Sequence, residues 1–141
     1  MANKKYNVVI DVEKIQENFA EYSPFNLERD IKNQKLEEND LQNIACSIAD
    51  EMYYGFDRKS CTAVYWGKKR KANYAKVRVV DLTRSGGKSS GFRCIVLVDE
   101  VNCYGYLLHI YRHGHGEKDN ISRKEQNKLE SLVEAYINSI E

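Results

Sequence analysis

The three histidines of this chain, His109, His113 and His115, fall within seven positions, in a stretch that also holds Tyr111 and Arg112. Imidazole is the one side chain whose ordinary pKa lies near neutrality, so this is where the sequence offers proton transfer. Upstream, Gly86-Gly-Lys-Ser-Ser-Gly-Phe-Arg93 sets a cation directly after a glycine-rich loop. Backbone N–H groups of such a loop and an adjacent guanidinium suit an anion, and guanidinium meets phosphate through two parallel hydrogen bonds. A metal reading of His113 and His115 is weaker: only Glu117 and Asp119 follow the H-x-H pair, and no cysteine lies nearby. The chemistry in view is anion binding with proton transfer, and neither metal nor cofactor is expected.

Charge is distributed to match. The net charge of +1 conceals six Lys/Arg against eleven Asp/Glu in residues 1–56, a net of −5, and thirteen against five in residues 57–118, a net of +8. Residues 119–141 carry three against five. A basic middle that also reads as sheet favours a polyanionic partner. Ten tyrosines against four phenylalanines and one tryptophan suit half-buried sheet faces and binding surfaces. No stretch approaches the roughly 20 apolar residues of a membrane span, and Met1-Ala-Asn-Lys-Lys leads into charged sequence, so a cytoplasmic protein is expected. Cys46, Cys61, Cys94 and Cys103 form no C-x-x-C pair and read as reduced thiols, two of them inside apolar runs.

The elements that must position these residues follow from periodicity. Tyr6 to Val12 is β-branched and extended; Val12, Ile15, Phe19 and Tyr22 then recur at helical spacing until Ser23-Pro24. The charged stretch from Asn26 to Glu38 is either a short helix or a connector. A helix capped by Asn39, with Gln42 three residues on, carries the stripe Leu41, Ile44, Ala45, Ile48 and Met52 and stops at Gly55. From Thr62 the period becomes two, giving strands over Thr62–Trp66, Ala75–Leu82, Phe92–Asp99 and Tyr104–His113 whose short connections imply antiparallel pairing. Ser122-Arg-Lys-Glu125 is a capping box that opens a helix with an apolar stripe at Leu129, Leu132, Val133, Tyr136, Ile137 and Ile140. The fold class is therefore α+β: an antiparallel sheet of about four strands, helices on one face, the other face free to bind. A chain of 141 residues fits one domain, 1–141, with an acidic, mainly helical part over 1–60 and the sheet and last helix over 61–141.

The glycine loop running through Phe92-Arg-Cys-Ile-Val-Leu-Val-Asp99, the strand Tyr106-Leu-Leu-His-Ile-Tyr111, the polar segment after it and the capped helix resemble, in order and spacing, the RelE/HigB toxins of the RelE/ParE superfamily. Lys76-Val-Arg78 resembles the Lys-x-Arg strand that precedes the loop in that family, and the likeness covers residues 72–135 or so. It implies a RelE-like fold and a messenger-RNA endonuclease, often ribosome-associated, neutralised by a cognate antitoxin. Such enzymes cut without metal, by attack of a ribose 2′-hydroxyl on the adjacent phosphate. Carried over, the catalytic set is Arg93, Tyr111, His113 and His115, and the RNA-binding cations are Lys76, Arg78, Arg84, Lys88, Arg112 and Lys118. Alternation sets His109, Tyr111 and His113 on one face and Arg112 on the other. Arg93 is expected at the exposed mouth of the loop, where its removal costs little stability. Ser90 and Phe92 stand where the family more often has glycine and tyrosine, and the acidic first third lies outside the likeness. The alternative is a non-catalytic RelE-fold protein-interaction module or inhibitor of phage or mobile-element origin, with the acidic third contacting a basic partner.

Overall fold

The computed structural model describes residues 4–19, 23–55, 64–65, 71–79, 91–112 and 121–140. Strands β2 (Val64–Tyr65), β3 (Ala72–Val79), β4 (Phe92–Asp99) and β5 (Tyr104–Arg112) pair antiparallel in sequence order, as the period of two anticipates. A fifth strand, β1 (Asn7–Val9), joins the outer side of β5 in parallel, with Asn7 opposite Tyr104 and Val9 opposite Tyr106. Among the described residues the sheet is therefore mixed and five-stranded, in the order β1-β5-β4-β3-β2, rather than antiparallel throughout.

All eight residues of β4 are buried. Cys94, Val96 and Val98 point to one face and Ile95 and Leu97 to the other, so exposing either face would cost about 25 cal/mol per Å² of apolar surface. Helices answer on both sides. On the first face lies α3 (Glu38–Tyr53), whose Met52 packs so tightly that a Cβ on Gly105 would fall 2.7 Å from its sulfur. Tyr106, the next residue, points the opposite way and meets Phe19 of α1 (Val12–Phe19) and Tyr136 of α4 (Arg123–Ser139), with ring centroids 5.0 and 5.8 Å away. The expectation of helices on one face and a free second face is thus corrected: a strand apolar on both sides requires cover on both.

Local signals set most element ends. Ser122 Oγ accepts the Glu125 N–H while the Glu125 carboxylate accepts the Ser122 N–H, and Leu129, Leu132 and Val133 of α4 are buried. Gly55 takes φ 66° and ends α3 by donating to the Met52 carbonyl. The start of α3 differs from the sequence reading. Glu37 caps it rather than Asn39, its N–H donating to the Asp40 carboxylate at 2.8 Å, because a helix begun two residues earlier satisfies more of its own backbone. The undecided stretch contains α2 (Leu27–Asn33), capped by the Asn26 Oδ1, which accepts the Arg29 N–H at 3.0 Å. Cys46, Cys94 and Cys103 are free thiols, and that of Cys94 is pushed well above its ordinary range by burial and by the charge of Asp30, against the opposing charge of Arg93. Among the described residues no helix is long and apolar enough to cross a membrane.

The β4–β5 turn is organised by Asp99. Its Oδ1 accepts the N–H groups of Val101 and Asn102, both at 2.9 Å, and its Oδ2 accepts the Tyr136 hydroxyl at 2.5 Å, which pins α4 to the sheet. Burial pushes the carboxyl up, but the hydrogen bonds from Asn102, Tyr136 and Val101 outweigh it and hold Asp99 below its ordinary value of 3.8. A carboxyl lowered by folding stabilises the fold above the unfolded pKa and loses that contribution as pH falls through the folded one. Urea denaturation of the protein should therefore show stability dropping as pH falls below 3.8. Tyr136→Phe should lower stability at neutral pH by about 1.5–3 kcal/mol, the worth of a hydrogen bond to a charged group, and shrink the acid-dependent part.

Candidate functional site

Register across β3, β4 and β5 assembles a row. Arg78 lies opposite Arg93, and Arg93 opposite Tyr111; in the next row Lys76 lies opposite Ile95, and Ile95 opposite His109. Residues directly opposite share a face, so three cations, a phenol and an imidazole stand together on the side of the sheet that carries α1 and α4. Four of them are buried: Arg93 is 1% exposed, Tyr111 5%, His109 7% and Lys76 8%. Arg78 is half-buried, and its Nε is enclosed with no hydrogen-bond partner among the described residues. Arg93, Lys76 and Tyr111 each engage a neighbour within the protein.

Two expectations change here. Arg93 does not stand exposed at the mouth of a loop. It alternates with Ile95 and Leu97 on the most enclosed strand, and Lys76, on the neighbouring strand, is buried with it. Arg112 does not join the row: it sits opposite Phe92, its guanidinium lies 4.4 Å from that ring, and its Nε donates to the Gln34 Oε1 at 2.7 Å. This agrees with the alternation that separates it from Tyr111. Arg84, Lys88, His113, His115 and Lys118 lie outside the described residues. The described chain leaves the sheet at Val79 and Arg112 and re-enters at Phe92, three positions in one register row beside the Arg78–Arg93–Tyr111 row.

The acidic first third contributes what the sequence reading did not assign to the site. Asp30 Oδ2 of α2 lies 2.7 Å from His109 Nδ1 and also accepts the Ile110 N–H at 3.1 Å. In the neutral tautomer that donates Nδ1–H to Asp30, Nε2 is left as a buried acceptor with no partner among the described residues. Phe25 stacks on the imidazole with ring centroids 4.1 Å apart and planes 7° from parallel, and the imidazole stacks in turn on Tyr111 at 5.1 Å. No local signal joins Asp30 to His109 across 79 positions. Among the described residues no cluster of three or more His, Cys, Asp or Glu is arranged to hold a metal ion.

Comparison with protein-family models, with curated proteins and with solved structures yields no match. Like charges directly opposite one another destabilise a sheet, and a guanidinium nitrogen without a partner adds its desolvation cost. The two arginines should differ sharply in stability measurements. Arg93→Ala, which empties a buried side chain, should cost about 2–5 kcal/mol in urea denaturation, the range for large-to-small core changes. Arg78→Ala should cost less than about 0.5 kcal/mol, because it removes the like-charge contact and the unpartnered Nε together.

Proposed function

We propose that this chain binds single-stranded RNA on the Lys76–Arg78–Arg93 face and cleaves it as a metal-independent endoribonuclease of RelE/HigB type, with messenger RNA as substrate and an antitoxin protein as its inhibitor. The observation that carries the reading is the cross-strand row itself: the three cations named by the resemblance and Tyr111 fall on one sheet face in adjacent register. In the reaction the ribose 2′-oxygen bonds to phosphorus and the P–O5′ bond breaks, leaving a cyclic phosphate and a 5′-hydroxyl. One proton leaves the 2′-hydroxyl and one reaches the departing oxygen. Arg78, the half-exposed member of the row, contacts the phosphate. Arg93 and Lys76 supply a desolvated positive field beneath it, in the low-dielectric setting where fixed charges act most strongly on a phosphorane. His113 and His115, which follow the last strand in sequence, are the proton carriers the resemblance implies.

The burial of Arg93 and Lys76 favours a second reading, a non-catalytic interaction module in which these cations only hold the sheet together. Acidic side chains exposed on the first third, such as Glu13, Glu17, Glu37 and Glu38, then form the contact surface. Two measurements separate the readings. RNA affinity of the purified protein should fall with salt by about 0.7 log units per log unit for each phosphate contacted, and Arg78→Ala should flatten that slope. Production of the protein in bacteria should arrest growth and fragment messenger RNA, and Arg78→Ala, or His113→Ala with His115→Ala, should relieve both. Salt-independent or absent RNA binding by the folded protein would assign it to the second reading.

A further inference from the structure

Between α1 and α2 lies a cavity of about 240 Å³, smaller than the roughly 300–1,000 Å³ of sites that take drug-sized ligands and suited to one planar ring system. Its apolar walls are Ile15, Leu27 and Leu108, and two aromatic rings, Phe19 and Phe25, complete them. Polar groups sit among these walls: Gln16, Ser23 and Asn26. Ser23 is occupied locally, since its Oγ accepts the Phe25 N–H at 3.1 Å. Asn26 uses only its Oδ1, on the Arg29 N–H, so its amide NH2 remains as a donor; Gln16 is exposed and brings a donor and an acceptor. Apolar and aromatic faces with amide groups at the margin are how proteins hold an unstacked nucleobase.

The cavity is joined to the cation row by stacked rings. Phe25 is one of its walls, Phe25 stacks on His109, His109 stacks on Tyr111, and Tyr111 lies in register with Arg93 and Arg93 with Arg78. We propose that the α1–α2 cavity is a nucleobase pocket, taking one base of an RNA strand whose phosphate lies at Arg78, with Asn26 and Gln16 reading the edge of the base. The inference rests on the RNA-binding reading and gives the acidic first third a task in it: this part of the chain supplies base recognition, while the basic sheet supplies phosphate recognition. The division follows general chemistry, because phosphate contacts position a strand and base-edge contacts specify it.

The test uses the full chain and the four nucleosides, which carry no phosphate. Methyl-resolved NMR should show at least one nucleoside shifting Ile15, Leu27 and Leu108 at millimolar concentration. Asn26→Asp keeps the helix cap but removes the donor, so the fold is retained. That change, and Gln16→Ala at an exposed position, should each weaken or re-order nucleoside binding by about two- to tenfold, the worth of one neutral hydrogen bond. Arg78→Ala should leave nucleoside binding unchanged while weakening RNA. No shift from any nucleoside, or shifts that both cavity variants leave intact, would overturn the pocket. Nucleoside uptake at these methyls without RNA binding by the same protein would keep the pocket and overturn the strand reading. RNA binding without nucleoside uptake would do the reverse.

Discussion

The carboxylate of Asp30 fastens α2, in the acidic first third, to β5 of the sheet. β5 is nine residues long, yet β1 pairs with only three of them, so among the described residues no strand lies beside its outer edge beyond Tyr106. An unpaired edge exposes backbone donors that a neighbouring chain can use. Asp30 Oδ2 accepts the Ile110 N–H and binds His109 Nδ1, putting a side chain where a strand would otherwise be. Gln34, one turn further on, accepts the side-chain Nε–H of Arg112 and so fastens α2 to the end of β5. With Leu27 buried beneath it, α2 is an integral cover of the sheet edge, and the orientation of His109, Phe25 and hence Tyr111 follows from that docking.

Where local chemistry decides the structure, the sequence was a sufficient guide. The limits of β4 follow from its bounded apolar run, and the capping box at Ser122 and Glu125 starts α4 where pattern alone places it. Gly55 ends α3 because only a residue at ease with positive φ suits that position. Where two local signals compete, reading fails by a residue or two: Asn39 with Gln42 and Glu37 with Asp40 are both capping pairs, and the one that lengthens the helix wins. β1 and α2 are a different matter. The extended character of β1 is legible in Tyr6 to Val12, and a short helix is one of two readings of the stretch that holds α2, but neither segment declares where it docks, because each is placed by β5, a partner distant in sequence.

The coverage of both sheet faces was legible in principle. Phe-Arg-Cys-Ile-Val-Leu-Val is a continuous apolar run broken by one arginine, the mark of a strand enclosed on two sides rather than of alternation. Reading it as half-exposed also put Arg93 in solvent. Its burial depends on the whole face around it, on Arg78 and Tyr111 opposite and the helices above, and no window of sequence contains that information. The row was legible only in part: strand pairing aligns Arg78, Arg93 and Tyr111 once the register is known, whereas Asp30, Phe25 and Gln34 arrive from a segment that the charge pattern marks merely as acidic.

That acidity has a physical use in the folded protein. On a sheet face with three cations in adjacent rows, the Asp30 carboxylate lies at the β5 margin against His109. Placed there, it orients the imidazole without neutralising Arg78, whose Nε keeps its unmet hydrogen bond. Under the proposed reading, charges fixed on the sheet would need no rearrangement when an anion arrives. In that reading the register of the strands would set the spacing of the charges that meet the phosphate, and the amide groups of Gln16 and Asn26 near the stacked rings would discriminate among bases.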